Sequence, residues 1–211
     1  MKKLFILCAI ILQNKLTFGQ IVLKCAGKTY TIPAFKAGYT KIGDKRFEQF
    51  KILPPIHHSQ FDIELRGYYR TSNPLIGSVV VVKGNTAKLL VEAYFYKYQW
   101  GGIVSSVKTF QPADTLLNAL IKANLFTLND IHGITDSLSK SNIVVKRNSA
   151  FDPYSMQFEL KVNDQYRSFN CDPFVYYANE KIKDLLPEKL LYDQFNKLYI
   201  LSGQKKNHLF L

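Results

Sequence analysis

The amino-acid sequence predicts an α+β fold, a largely antiparallel sheet of hairpins with helices packed on one face. Three observations carry this expectation. Phe61, Ile63 and Leu65 alternate with Asp62, Glu64 and Arg66, the period of a half-buried strand. Between residues 76 and 110, three runs rich in β-branched and aromatic residues are separated only by turn signals. Leu116, Leu117, Leu120, Ile121 and Leu125 then recur at helical spacing, and a second helical stretch lies near the chain end.

The first residues have the parts of a cleavable export signal. Lys2 and Lys3 form a positive start, and Leu4 to Leu12 is an unbroken apolar run. That run is too short to span a bilayer. Thr17 and Gly19 supply the small-residue spacing for a cut before Gln20. Residues 1–19 are thus expected to be a signal peptide. The expected location is periplasmic or secreted, with no membrane span after cleavage. Cys8 is preceded by Phe5, Ile6 and Leu7, not by the small residues of a lipid-attachment site.

Export changes two counts. Lys2, Lys3 and Lys15 leave with the signal and no acid does, so the charge falls from +12 to about +9. The remaining basic residues are scattered in ones and twos, which argues against a nucleic-acid partner. The cysteines fall to Cys25 and Cys171, an even pair in an oxidising compartment. A Cys25–Cys171 disulfide is the expectation.

The 192 residues after the cut fit one domain. Residues 20–60 are read as an N-terminal pair of strands with an irregular extension. Residues 61–211 are read as the main α+β domain. Ile21–Cys25 and Thr29–Ile32 flank the turn Ala26–Gly27–Lys28. Residues 33–58 carry Pro33, Gly38, Gly43 and Pro54–Pro55 and show no period.

Strands are expected at Ile76–Lys83, Ala87–Tyr98 and Ile103–Phe110, with turns at Gly84–Asn85 and Trp100–Gly102. Pro112 and Asp114 suit the first turn of the helix that follows. Asn129–Asn142 is read as a polar loop and Ile143–Arg147 as a short strand. Tyr154–Val162 and Gln165–Asn170 make a second hairpin across Asn163–Asp164. Asp172–Pro173 is a helix-start signature for a helix to about Leu186, and Pro187 opens another. Leu190, Leu191, Phe195, Leu198 and Tyr199 are its expected inward residues, with Gly203 as the stop.

The layout of residues 61–130 and 143–201 resembles small domains of exported bacterial proteins that have no known activity. The shared features are the strand Phe61–Leu65, a hairpin, and a helix ending in Ala123–Asp130. A second hairpin and helix then follow. This resemblance implies a fold layout but no activity and no site residues.

The candidate ligand surface is the strand through Tyr98. Tyr94, Tyr96, Tyr98 and Trp100 share one face by alternation, opposite Leu89, Val91, Ala93 and Phe95. Exposed, they form a flat platform for a sugar or a protein partner. Covered, they are ordinary packing. Tyr68, Tyr69 and Arg70 are a possible extension of that surface. His57–His58 precedes Asp62 and Glu64, and Asp130, His132 and Asp136 share a polar stretch; neither spacing matches a metal loop. No metal or cofactor is expected. There is no Gly-x-Ser-x-Gly elbow and no phosphate loop. The flanks of Cys25 do not fit a cysteine protease.

These features point away from catalysis. The expected function is a non-enzymatic exported binding protein, its partner an unknown protein or glycan of the cell envelope or extracellular space. A small secreted hydrolase with an unrecognised site is the alternative from another class. An inhibitor or immunity-type protein is a third.

Overall fold

The computed structural model describes residues 19–38, 45–69, 76–100, 102–110, 113–128, 131–145, 156–171, 175, 179 and 181–201. The expected signal peptide lies outside them, apart from Gly19. Also outside are Arg70, Asp130, Asp172, Pro173 and Gly203.

The first described elements are β1 (Gln20–Cys25) and β2 (Lys28–Pro33), an antiparallel two-stranded sheet. Its turn needs positive φ at Ala26 and Gly27. A four-residue helix α1 (Arg46–Gln49) and a 3₁₀ turn at Ile56–His58 follow. Next come β3 (Ile63–Tyr69), β4 (Ile76–Gly84), β5 (Leu89–Gln99) and β6 (Gly102–Phe110). Helix α2 (Ala113–Lys122) leads through a 3₁₀ turn at Leu125–Thr127 to α3 (Ile131–Lys140). The chain continues with β7 (Met156–Val162) and β8 (Gln165–Cys171). A 3₁₀ turn at Lys183–Leu185 enters α4 (Leu186–Leu201).

Strands β3 to β8 form one six-stranded antiparallel sheet in the order β6-β5-β4-β3-β7-β8. The fold is α+β and mostly sheet. β3 lies at the centre because β7 returns to its free side after the helical section.

Two clusters of buried side chains divide by strand parity. The larger takes Ile63 and Leu65 of β3, Val80 and Val82 of β4, and Val91, Ala93 and Phe95 of β5. It also includes Phe158 and Leu160 of β7, and Leu23 and Ile32 of the first hairpin. Helix α2 contributes Leu116, Leu117 and Leu120, α3 Ile131, Ile134 and Leu138, and α4 Leu191 and Phe195. The smaller cluster holds Tyr68, Val79, Val81 and Tyr96 with Phe47 and Leu53 from residues 45–53. Strands β3, β4 and β5 thus send odd and even residues to different cores.

Four expectations of secondary structure and burial change. The stretch read as a polar loop contains α3: Ile131, Ile134, Thr135 and Leu138 are buried at spacing i, i+3, i+4, i+7, one helical stripe among polar residues. Residues 143–145 form no strand, because the chain leaving α3 turns through Asn142 at φ 60°. Ile143 N–H instead donates back to Leu138 O, 2.9 Å away. Finally, β3 is buried on both faces rather than half-buried: Glu64 and Arg66 are as enclosed as Ile63 and Leu65. In α4, Leu191 and Phe195 point inward as expected, whereas Leu190 is exposed.

The Cys25–Cys171 disulfide is not formed; both residues are buried thiols. Topology gives the reason. Cys25 Sγ packs against Gly84, leaving no room there for a Cβ. Gly84 pairs with Ile63 at the start of β3. Cys171 pairs with Met156, which lies opposite Tyr69 at the other end of β3. Six residues of strand separate these ends by about 20 Å. A disulfide tolerates a Cα separation of about 7 Å at most. Burial, helped by the nearby Asp62 charge, pushes the Cys25 thiol pKa up, which keeps it protonated.

Candidate functional site: an open sheet edge with an aromatic corner

The expected aromatic row splits along β5. Tyr96 is 2 % exposed. Its ring covers Gly77, the cross-strand partner, so closely that a Cβ there has no space. Phe47 and Phe50 close over it edge-on, with ring centroids 5.0 and 5.4 Å away. Tyr94 is half-buried. Its hydroxyl accepts from Lys83 Nζ at 2.9 Å and donates to Glu92. Tyr98 is 53 % exposed, and Trp100, just past the end of β5, is fully exposed. Tyr68 is buried and edge-on to Phe47, and Tyr69 is half-buried against the larger core.

The covering segment ends before Tyr98, so the outer corner of the sheet stays open. Tyr98 pairs with Ile103 and Tyr94 with Val107, which puts Ile103 and Val107 on the same face. Val107 and Val104 are each 57 % exposed. All of Val104 to Thr109 is exposed. Tyr98 at the end of β5, Trp100 in the turn and Val107 of β6 therefore form an apolar corner, and Val104 is exposed on the opposite face. Exposed aromatics of this kind are typical anchors of binding surfaces.

A second constellation lies on the same face, deeper in the sheet. In register, Glu64 of β3 sits between Lys83 of β4 and Lys161 of β7, and Arg66 faces Glu159. Arg66 Nε donates to Glu64 Oε1 at 2.6 Å, and Arg66 Nη1 to Pro54 O at 2.8 Å. Tyr68 OH donates to Glu159 Oε2 at 2.9 Å. Ser59 Oγ donates to Glu64, and Lys161 Nζ to Ser59 O. Burial lowers the affinity of Arg66 for its proton, but the neighbouring Tyr68 and Glu64 outweigh this and raise its pKa.

Among the described residues, this network is where buried carboxylates converge with a buried guanidinium. Glu64, Arg66 and Glu159 are each no more than 3 % exposed. Residues 54–59 roof them: Arg66 holds the Pro54 carbonyl and Glu64 accepts from the Ser59 hydroxyl. The network fastens that segment to the sheet and presents no reacting group to a substrate.

Beside it, Lys83 Nζ lies 2.7 Å from Glu92 Oε2 and 5.2 Å from the Phe61 ring centroid. Desolvation pushes the Glu92 carboxyl up, but hydrogen bonds from Lys83 and Tyr94 and the charges of Lys83 and Lys88 hold it below its ordinary value. A carboxyl depressed on folding stabilises the native state above its unfolded pKa. That contribution is lost as pH falls through the folded value. Urea unfolding of Glu92→Gln is therefore expected to lose less stability than the parent below about pH 4.3. Equal acid losses in both proteins contradict the assignment.

The histidine and acidic candidates do not assemble. His57 and His58 are exposed on the 3₁₀ turn, with ring centroids 4.3 Å apart. Asp136 is exposed on α3, and the His132 side chain lies outside the described residues. Among the described residues, no group of three His, Cys, Asp or Glu is placed to hold a metal ion. A cavity of about 210 Å³ is lined by Lys28, Tyr30 and Asp114 with Ala26, Leu89 and Ala113. It is smaller than the ~300 Å³ at which ligand pockets usually begin. Its two charges, 2.5 Å apart, neutralise each other. Among the described residues no helix is long and apolar enough to cross a membrane.

Sequence reasoning missed the Glu64–Arg66–Glu159 network. Its signal was present in the polar alternation of β3, which reads equally well as a solvent face. Comparison with protein families, with curated proteins and with solved structures finds no match for this chain.

Proposed function

We propose that this is an exported, non-enzymatic binding protein acting at the cell envelope or outside the cell. Its contact surface is the open corner of the sheet at Tyr98, Trp100 and Val107. The single observation behind this reading is the exposure of those three side chains where β5 turns into the terminal strand β6. The buried polar network supports it from the other side, because the best carboxylate constellation is sealed. In this reading, α2, α3 and α4 cover one face of the sheet. Residues 20–60 act as an extension packed on the main unit, residues 61–211.

The test has two parts. Mass spectrometry of the protein recovered from the cells that make it is expected to find a chain starting at Gln20, in the periplasm or the medium. Retention of residues 1–19 in a cytoplasmic protein rejects export. Cross-linking in the envelope fraction is expected to give an adduct that Tyr98→Ala/Trp100→Ala abolishes while Leu190→Ala, on an exposed helical position, leaves it intact. An adduct unaffected by the aromatic changes places the contact elsewhere.

A further inference from the structure

We infer that Gln20 is a modification site: once the chain is cut before it, its α-amine closes on its own side-chain amide and becomes a pyroglutamate. This rests on the export reading above and names the chemical form of the new N-terminus.

The cut frees Gln20 at a position that the ladder does not hold. Gln20 opens β1 opposite Pro33. Ala34 N–H donates to Gly19 O at 2.7 Å, so residues 19 and 34 form a hydrogen-bonded pair. Hydrogen-bonded and non-hydrogen-bonded pairs alternate along an antiparallel ladder. Gln20 and Pro33 are therefore a non-hydrogen-bonded pair, and the Gln20 nitrogen points away from β2. Proline suits the facing position, because the N–H it lacks would also point outward. No described strand lies beyond β1 on that outer side. Cleavage removes Gly19 and its bond from Ala34, which leaves Ile21, opposite Ile32, as the first residue in the ladder.

The side chain is equally unconstrained. Gln20, Val22 and Lys24 form the exposed face of β1, whereas Leu23 and Cys25 are buried on the other. The Gln20 amide thus lies in solvent and swings back to its own α-nitrogen without breaking a core contact. The lactam ring that results also lies in solvent, so closure disturbs no packing.

The reaction needs no co-reactant. The uncharged α-amine attacks the side-chain carbonyl carbon, Cδ. A new C–N bond closes the lactam, the Cδ–Nε2 bond breaks, and Nε2 leaves as ammonia with the proton that the amine gives up. Nothing is oxidised or reduced. Free α-amines titrate at about 7.7–8.0, so part of the population is uncharged and nucleophilic at neutral pH. The product has one positive charge fewer and no free amine for an aminopeptidase. Chain ends are favoured points of proteolytic attack. Here trimming would run toward Leu23 and Cys25, which belong to the larger core.

The test reads the N-terminus of the full chain isolated from the cells that make it. Fresh protein is acetylated, which caps every free amine, and is then digested with trypsin, which no longer cuts at lysine. The peptide Gln20–Arg46 is expected without an acetyl group on its α-nitrogen and lighter by one ammonia. The intact protein is expected to resist an aminopeptidase. Gln20→Ala, a change at an exposed position, is expected to carry the acetyl group and to be trimmed from its end. An acetylated Gln20, or a lactam scarce in fresh protein and accumulating only on storage, overturns the inference and leaves export standing. So does an exported chain that starts at another residue. A cytoplasmic chain that keeps residues 1–19 overturns both.

Discussion

Replacing Arg66 with methionine is expected to lower the unfolding free energy by about 3–5 kcal/mol. Arg66 is fully buried at the centre of β3, between Glu64 on its own strand and Glu159 across the ladder. Methionine fills much of the space but removes the cation. Two carboxylates then remain in an interior site, with Lys161 and Lys83 as the cross-strand cations and Lys83 already held by Glu92. The guanidinium also holds Pro54 O, so the roof over this face loosens as well. Urea unfolding at pH 7 measures the loss. Arg66→Met combined with Glu64→Gln and Glu159→Gln is expected to recover most of it, because breaking a buried pair costs far more than replacing it. A single variant as stable as the parent shows that the network does not hold the segment.

Truncating Phe195 to alanine is expected to cost about 3–5 kcal/mol, for a different reason. Phe195 on α4 is fully buried, edge-on to Phe158 at 5.1 Å. Its ring also occupies the space above Gly67, where a Cβ would come within 2.7 Å of it. Phe158 in turn stacks on Phe169 of β8 at 5.1 Å. Removing the Phe195 ring leaves a void between helix and sheet that the stacked pair cannot fill without moving. Leu190→Ala, on the exposed side of α4, is the control and is expected to cost little. Similar losses for the two variants indicate that α4 does not dock through Phe195.

Much of the sheet was legible in the sequence, because alternation and turn chemistry are local. Asn163 and Ala26, both at positive φ, sit in hairpin turns that the sequence marked. The helix at Ile131–Lys140 was hidden by polar residues around a narrow apolar stripe. The aromatic row shows the limit most clearly. Alternation placed Tyr94, Tyr96 and Tyr98 on one face, yet each has a different fate. What decides among them is Phe47 and Phe50, nearly fifty residues earlier, on a segment with no period and a helix of only four residues. The same segment turned the polar side of β3 from an expected surface into an interior network. Exposure at Tyr98 and Trp100 is therefore a consequence of where that cover stops. The missing disulfide has a similar origin, since an even cysteine count says nothing about which end of a strand each thiol occupies.

No described strand covers the side of β6 that faces away from β5. Amide hydrogen exchange of the full chain tests it residue by residue. The expected pattern along Ile103–Phe110 alternates: amides facing β5 exchange slowly, and those between them exchange at rates near those of an unstructured chain. Continuous slow exchange along the whole strand contradicts the account, because it means that the edge is already occupied.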